Sequence, residues 1–238
     1  MVKLTPDLIN QSFQCINPCN ERELDLRGYK ISQIENLGAT LDQFDTVDFS
    51  DNDIRKLDGF PYLQRLKCLL FNNNRIVRIS ENLHESLPNL ESVILTGNNI
   101  VELGDIDPLT NLTKLQTLSL INNNIATKQY YRDYIAFKFP NLRLLDFRKI
   151  KLKDREAANT FFKSKKGKEI LKEIIRKSKA NISATGSVPE KPKGADLQKI
   201  RDAIKKAGSL AEVERLTKLL QSGQLSNDSK SSNQMDTS

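Results

Sequence analysis

The sequence has little of what disulfide frameworks and metal sites are built from. It contains three cysteines, Cys15, Cys19 and Cys68, and a single histidine, His84. These are too few, and too irregularly placed, for a disulfide framework or a zinc site. We therefore expect a reducing compartment and no cofactor.

The sequence also lacks the arrangements that are typical of enzymes. It has no glycine-rich loop that could cradle a phosphate. Asp51 and Asp53 could be imagined as a catalytic pair, but they flank Asn52 in a predicted turn, where solvated carboxylates are common. We expect a protein without catalytic activity.

Long apolar runs are missing as well. Nowhere do about 18 uninterrupted apolar residues occur, the length needed to cross a bilayer. The first seven residues, MVKLTPD, have no apolar stretch of the kind found in signal peptides. With 238 residues, 38% of them hydrophobic, the chain can still bury a sizeable core. We expect a soluble, intracellular protein with one large domain, or one domain and an appendage.

Charge is unevenly distributed along the chain. The formal net charge is +7, yet residues 1–147 carry 15 Lys/Arg and 19 Asp/Glu. Residues 148–179 carry 13 Lys/Arg and 4 Asp/Glu, whereas residues 180–238 carry 9 and 7. The basic character therefore belongs to one short segment, which could meet phosphate, acidic protein or the nuclear import machinery. The mildly acidic main part argues against nucleic acid lying across all of it.

A phrase of the form L-x-x-L-x-L-x-x-N-x-I recurs along the chain. Its four full copies begin at Phe44, Leu66, Leu90 and Leu115, with spacings of 22, 24 and 25 residues. A degenerate copy precedes them and another follows, so we expect six stacked turns between about residues 21 and 152. The degenerate copies have a bulky residue at the Asn position, and they consist of Leu24, Leu26, Tyr29 and Ile31, and of Leu142, Leu145, Phe147, Ile150 and Leu152.

These repeats predict an α/β fold, a leucine-rich repeat solenoid. In each copy the x-L-x-L part is a short strand with inward side chains at every second position, and it pairs in parallel with the next copy. The strands then form the concave sheet of a horseshoe of about six repeats. The Asn turns the corner, because its amide can donate to and accept from backbone groups of two adjacent loops. We expect a structural ladder of Asn52, Asn74, Asn98 and Asn123.

Both ends of such a stack need caps, because they would otherwise expose apolar surface and unpaired strand edges. Thr5, Pro6 and Asp7 predict the start of a helix, which Pro18 would end, so residues 1–20 form the expected N-terminal cap. An aromatic-rich stretch is expected to close the other end of the domain, which spans residues 21–162. The helix would bury Leu4, Leu8, Ile9 and Phe13, and the aromatic cap consists of Tyr130, Tyr131, Tyr134, Phe137 and Phe139.

Particular phrases are more specific than the repeats. The stretches RELDLRGYKI (22–31), IENLGATLDQF (34–44) and DFSDNDIRKLDGFP (48–61) closely resemble the A-prime family of the U2 small nuclear ribonucleoprotein. YRDY at 131–134, LLDF at 144–147, SLAEVERL at 209–216 and LLQSGQ at 219–224 are also similar to that family. The resemblance covers roughly residues 1–225. The repeat scaffold by itself is shared with acidic nuclear phosphoproteins and an axonemal dynein light chain.

The resemblance implies a non-enzymatic, nuclear subunit for pre-mRNA splicing. Such a subunit binds the RRM protein called B-double-prime, cradles a helix of its RRM, and together with it holds stem-loop IV of U2 snRNA. The alternative is a generic nuclear leucine-rich repeat adaptor for other proteins. The two differ in whether U2 snRNA co-purifies with the chain.

The strand pattern predicts where a partner would bind. Alternate strand residues point into the concavity, and Leu70, Ile94 and Ile121 are apolar positions expected to face water on adjacent turns. A contiguous apolar patch with a charged rim is typical of an interface. A short amphipathic helix fits it, with basic side chains meeting Asp25 and Asp48. The predicted partner site is Glu23, Asp25, Arg27, Thr46, Asp48, Cys68, Leu70, Asn72, Ile94, Thr96, Ile121 and Asp146, with Arg148 beside Asp146.

The basic segment allows two interpretations. Its first cluster lies just past the last strand and could reach the phosphates of RNA that the partner holds. Residues 163–179 could instead be a solvated helix or a nuclear import signal. No aromatic residues alternate with the basic ones, so an independent single-strand RNA platform is not expected. The residues predicted to contact the RNA backbone are Arg148, Lys149, Lys151 and Lys153.

The C-terminal part is expected to be organised differently. Residues 180–194 are rich in Ser, Thr, Gly, Pro and Lys and predict a linker. Residues 195–223 show helical spacing of apolar residues and predict a pair of short helices, the second beginning with a capping box at Ser209. Residues 224–238 are polar and predict a disordered tail.

Overall fold

The structure is a computed structural model that describes residues 2–184, and side chains up to residue 180. The predicted helical pair and tail, and most of the predicted linker, lie outside the described residues. The strands are β1 (Phe13–Ile16), β2 (Arg22–Asp25), β3 (Thr46–Asp48), β4 (Lys56–Leu57), β5 (Cys68–Leu70), β6 (Arg78–Ile79), β7 (Ser92–Ile94), β8 (Thr117–Ser119), β9 (Leu144–Leu145) and β10 (Arg148–Lys149). The α-helices are α1 (Pro6–Gln11), α2 (Leu83–Ser86), α3 (Tyr131–Lys138), α4 (Leu152–Lys163) and α5 (Lys165–Ala184), and 3-10 segments span Leu37–Thr40, Leu103–Asn111 and Asn124–Thr127.

The main sheet confirms the predicted leucine-rich repeat solenoid. Its strand order is β1-β2-β3-β5-β7-β8-β9-β10, and the strands from β2 to β9 in this order pair in parallel. The inward residue of each of these strands is at most 2% exposed; these residues are Leu24, Val47, Leu69, Val93, Leu118 and Leu145. The repeat period therefore determines which side chains form the core. A separate two-stranded sheet, β4-β6, lies on the loops that leave the main sheet.

Each of the repeated asparagines joins its own turn to the preceding one. The Nδ2 of Asn74 donates to the carbonyl oxygen of Phe49 at 2.9 Å, and its Oδ1 accepts from the backbone N–H of Ile54 at 3.1 Å. Asn52, Asn98 and Asn123 repeat this pattern with the neighbouring turns. All four are 4% or 5% exposed, so each side chain satisfies backbone groups that water does not reach.

The N-terminal cap is only partly the predicted helix. Thr5 begins α1, since its Oγ1 accepts from the N–H of Leu8 at 3.2 Å, but the helix ends at Gln11 rather than at Pro18. Residues 13–16 form β1, which pairs antiparallel with β2 and covers that edge of the parallel sheet. The prediction for Phe13 is therefore wrong, because its side chain is 66% exposed instead of packing on a helix face.

The sixth repeat departs from the pattern after β9. Asp146 and Phe147 both have positive φ values, 51° and 59°, and they reverse the chain so that β10 runs antiparallel to β9. The reversal removes Phe147 and Leu152 from the core, contrary to prediction, and they are 66% and 72% exposed. Tyr29, expected to fill the Asn position of the first copy, is also 36% exposed.

The basic helix α5 is part of the same body as the repeats. Ile174 of α5 belongs to the core and is 8% exposed. The Ser178 hydroxyl donates to Asp105, in the 3-10 segment Leu103–Asn111, at 2.7 Å. The interpretation of 163–179 as a solvated helix holds for only part of its surface, because most residues of α5 are exposed but one face packs against the repeats. The helix continues to Ala184, past residue 180 where the linker was predicted to begin. Within the described residues, no helix has the length and apolar character that a membrane span requires.

Candidate partner-binding face

The outward positions of the parallel strands form columns because the strands are in register. Asp25, Asp48, Leu70, Ile94 and Ser119 follow one another across β2, β3, β5, β7 and β8. A second column on the same face consists of Glu23, Thr46, Cys68, Ser92, Thr117 and Leu144. We call the surface formed by these two columns and the loop residues that follow them the concave face.

The middle of the concave face is apolar. Leu70 and Ile94 are direct register neighbours, and both are half-buried, so part of each side chain is open to water. Ile121, in the loop that follows β8, is half-buried too. At the end of the column, next to Ile94, Ser119 is completely buried and hydrogen-bonds to Thr96 at 3.1 Å. The apolar patch is thus centred on Leu70 and Ile94, with a polar pair beside it.

The acidic end of the concave face carries its own cation. The Arg27 guanidinium binds Asp25 through two nitrogens, with Nε to Oδ1 at 3.0 Å and Nη2 to Oδ2 at 2.5 Å. The same Nε lies 3.5 Å from Asp48 Oδ2. The hydrogen bonds from Arg27 lower the pKa of Asp25 below its usual value, so this carboxylate is ionised at neutral pH. Two carboxylates and one guanidinium leave a net negative charge at this end.

Two residues predicted to be open to a partner are in fact buried. Thr46 and Asp48 are 2% and 6% exposed. Thr46 donates to Glu21 at 3.0 Å, while Asp48 accepts from the Ser50 N–H at 2.8 Å and lies beneath Arg27. Their polar groups are satisfied inside the chain, so a partner would meet Glu21 and Arg27 above them. Sequence periodicity gives the direction of a side chain but not what covers it.

The other predicted residues are tied to their neighbours to different degrees. Asn72 donates to Ser50 Oγ at 3.0 Å, which holds it at the rim of the apolar patch.

Burial raises the pKa of the Cys68 thiol to about 11, so this thiol is protonated and a poor nucleophile at neutral pH. Asp146 accepts from the Leu120 N–H and from the Tyr131 hydroxyl, both at 2.8 Å. Its carboxylate is thus hydrogen-bonded to groups at the end of the sheet and is not a free partner for Arg148.

Strand β1 is a part of the concave face that the sequence pattern does not predict. Phe13 and Cys15 pair with Asp25 and Glu23 across the antiparallel ladder, which places them on the same face of the sheet. Phe13 adds a largely exposed ring beside the acidic end. The available signal is the stretch Phe-Gln-Cys-Ile, which is too short to separate a strand from a helix end.

The predicted RNA-contact residues lie together at the other end of the sheet. Arg148 and Lys149 form β10, and Lys151 and Lys153 follow at the start of α4; all four are exposed. Arg155, in the same basic segment, instead donates to the carbonyl oxygens of Ala136, Phe139 and Leu142.

The described residues hold no cluster of three or more His, Cys, Asp or Glu side chains that could bind a metal ion. The cysteines are free: Cys19 is exposed, whereas Cys15 and Cys68 are half-buried. What the concave face offers chemically is therefore an apolar centre with a charged rim, the arrangement of a protein-binding surface.

Comparison with known proteins gives one consistent family. A family model described as "Leucine-rich repeat" matches residues 1–175. The chain is 64% identical over 237 residues to a Drosophila melanogaster protein named "Probable U2 small nuclear ribonucleoprotein A'", covering 94% of this chain and 89% of that one. It is 56% identical over 229 residues to the Homo sapiens "U2 small nuclear ribonucleoprotein A'", covering 94% and 90%. Among solved structures, a chain of the Drosophila melanogaster SNF/U2A' complex matches with a TM-score of 0.72 and 70% identity, over 73% of this chain and all of that one.

Proposed function

The chain belongs to the U2 small nuclear ribonucleoprotein A' family and is thus a spliceosomal protein, and from this premise we propose that its concave face binds the RRM protein B-double-prime. Together the two proteins hold stem-loop IV of U2 snRNA, in the nucleus. The chain acts as a non-enzymatic scaffold, and its contribution is to position the partner.

The observation that carries this proposal is the apolar patch of Leu70 and Ile94. Two half-buried aliphatic side chains lie side by side on neighbouring strands, with Ile121 nearby. Such a patch at the centre of a polar face is where an interface places its anchor residues. The solved relative supports the proposal because its crystal contains a complex with a second protein, SNF.

The charges around the patch favour a basic helix as the element that binds. The acidic end has three carboxylates, those of Asp25, Asp48 and Glu21, and one guanidinium, that of Arg27. Basic side chains of a partner helix would therefore be attracted to it. A helix presents apolar side chains at every third or fourth position, which suits a patch spanning two or three strands. An RRM bound through a helix keeps its sheet free for RNA.

The exposed cluster of Arg148, Lys149, Lys151 and Lys153 completes the proposal. It follows the last strands of the concave face, so RNA held by the bound partner would pass close to it. Lysine and arginine contacts to phosphates add affinity without reading the base sequence.

The test is a gel shift on U2 snRNA stem-loop IV with this protein alone, with the RRM partner alone, and with both. The variant is Leu70→Arg with Ile94→Arg, which adds two charges to the apolar patch. The matched control is Leu41→Arg with Tyr62→Arg, since these side chains are 75% and 64% exposed and lie away from the concave face. We expect a supershift only with both proteins, lost in the variant and kept in the control. A supershift that survives in the variant would contradict the proposal.

A further inference from the structure

A second surface of the described chain is an open groove of about 830 Å³ beside the last parallel strands. It is lined by the residues that come immediately before β7, β8 and β9, which are Glu91, Gln116 and Arg143. Leu144 and Ile150 contribute its apolar part. We call it the strand-start groove.

The strand-start groove is strongly basic. Four cationic side chains line it, Lys114, Arg143, Lys149 and Arg155, against the single carboxylate of Glu91. Two of the four cations, Lys114 and Arg143, come from residues 1–147, a part of the chain that is acidic overall. A concave surface with one sign of charge focuses the potential and attracts ligands of the opposite charge.

The four cations are held in different ways. Arg155 is fixed, because its guanidinium donates to three backbone carbonyl oxygens, so it supplies charge but few free donors. The Lys114 Nζ is oriented by a hydrogen bond to Asn89 Oδ1 at 2.5 Å. Arg143 and Lys149 are exposed, and nothing in the described residues covers them. Three side chains can therefore still donate to a ligand.

The position of the groove limits what that ligand can be. Leu144 ends a column of the concave face and also lines the groove, so the two surfaces are continuous. Lys149 belongs both to the groove and to the exposed basic cluster that continues through Lys151 and Lys153. A ligand in the groove would thus lie along a basic strip that begins at the edge of the partner site.

We propose that the strand-start groove binds the sugar-phosphate backbone of the RNA that the partner holds, with Lys114 and Arg143 contacting phosphates alongside Lys149. This inference rests on the proposed function, because the partner brings the RNA to this edge. A long polyanion matches an open groove in which four of the five charged side chains are cationic better than a protein anchor does. These contacts do not depend on the base sequence. They extend the RNA-binding surface to Lys114 and Arg143, which precede the basic segment that begins at residue 148.

The test uses the full-length chain with Lys114→Gln and Arg143→Gln. We measure stem-loop IV binding by the two-protein complex at several salt concentrations. Loss of two phosphate contacts should weaken RNA binding roughly tenfold near 0.15 M salt and reduce the slope of log K against log salt by about 1.5. The matched control, Lys3→Gln with Arg55→Gln, removes the same charge from exposed positions outside the groove and should stay within about twofold of the unmodified protein. The charge-retaining pair Lys114→Arg and Arg143→Lys should restore most of the salt slope.

A measurement of partner binding without RNA separates the possible failures. The groove variant should bind the partner with unchanged affinity, which also shows that it is folded. If it loses partner affinity without RNA, the groove contacts protein and the inference is overturned. If RNA binding equals that of the control, no phosphate is held there, and the inference is also overturned. If the unmodified chain does not bind the partner at all, the proposed function fails, and this inference fails with it.

Discussion

The side-chain amide of Asn98 donates a hydrogen bond to the backbone carbonyl oxygen of Phe71, at 2.8 Å and one repeat earlier in the chain. Its Oδ1 also accepts from the Ile76 N–H at 2.9 Å, so a single buried side chain satisfies two backbone groups of the preceding turn. The concave face depends on this ladder, because the Asn residues keep successive strands at a constant spacing and in register.

Replacing Asn98 by alanine should therefore destabilise the whole repeat domain. Asn98→Ala leaves the Phe71 carbonyl and the Ile76 N–H without partners in the interior, which we expect to cost about 3 kcal/mol of unfolding free energy. Urea unfolding followed by circular dichroism measures this. Asn111→Ala is the control, since Asn111 is exposed, and it should change stability by less than about 0.5 kcal/mol. Equal effects of the two substitutions would contradict the ladder's structural role.

The buried carboxylate of Asp45 predicts a dependence of stability on acid. Burial raises the pKa of Asp45, but hydrogen bonds from Arg65, the Arg22 N–H and Lys67 outweigh it and bring the pKa to about 2. A pKa below the ordinary value of 3.8 gives stability that is present above about pH 4 and lost as the pH falls towards 2. In thermal unfolding between pH 5 and pH 2, Asp45→Asn should lose less stability over this range than the unmodified chain. Parallel pH profiles would show that this carboxylate is not linked to folding.

Arg155 should act as a structural clamp in spite of lying in the basic segment. Its guanidinium donates to the carbonyl oxygens at the end of α3, including Phe139 at 2.8 Å. Arg155→Met removes these hydrogen bonds and should lower the unfolding free energy by about 2 kcal/mol. Lys153→Met, at an exposed position two residues earlier, should have little effect on stability. If the two variants have the same unfolding free energy, the hydrogen bonds of Arg155 contribute nothing to stability.

The contact between α5 and the repeats is tight at Gly104. A Cβ at this residue would lie 2.8 Å from the Ser178 Cβ, so Gly104→Ala forces α5 to shift. We expect faster amide hydrogen exchange along α5, read out by mass spectrometry. Gly38→Ala is the matched control, because a Cβ there meets nothing within 4 Å, and it should leave the exchange of α5 unchanged. Unchanged exchange in both variants would mean that α5 does not depend on this contact.

The repeat period predicts much of the fold because it depends on local chemistry. An apolar residue at every second position and an Asn after the strand set which side chain points inward, and the inward residues Val47 and Leu69 are buried as expected. The outward positions of Leu70 and Ile94 follow from the same alternation. At these positions, residues that are neighbours in space occupy the same place in successive repeats, so the repeat pattern alone predicts that they lie side by side.

The departures from the prediction come from tertiary pairing. Residues 13–16 form a strand because an unpaired edge of β2 is available, which four residues cannot signal alone. The reversal at Asp146 and Phe147 uses positive φ values at residues other than glycine, where sequence gives little indication. Asp48 is buried because Arg27, which follows β2 and so comes from the preceding repeat, lies over it.

The central claim is that the apolar patch binds the RRM partner, and calorimetry of the two proteins without RNA tests it most directly. Leu70→Ala and Ile94→Ala each truncate a half-buried anchor, so each should weaken binding by about 2 kcal/mol, which is roughly thirtyfold in Kd, with the fold intact. Tyr62→Ala, at an exposed position outside the concave face, should bind like the unmodified chain. Unchanged affinity in both Leu70→Ala and Ile94→Ala would contradict the claim.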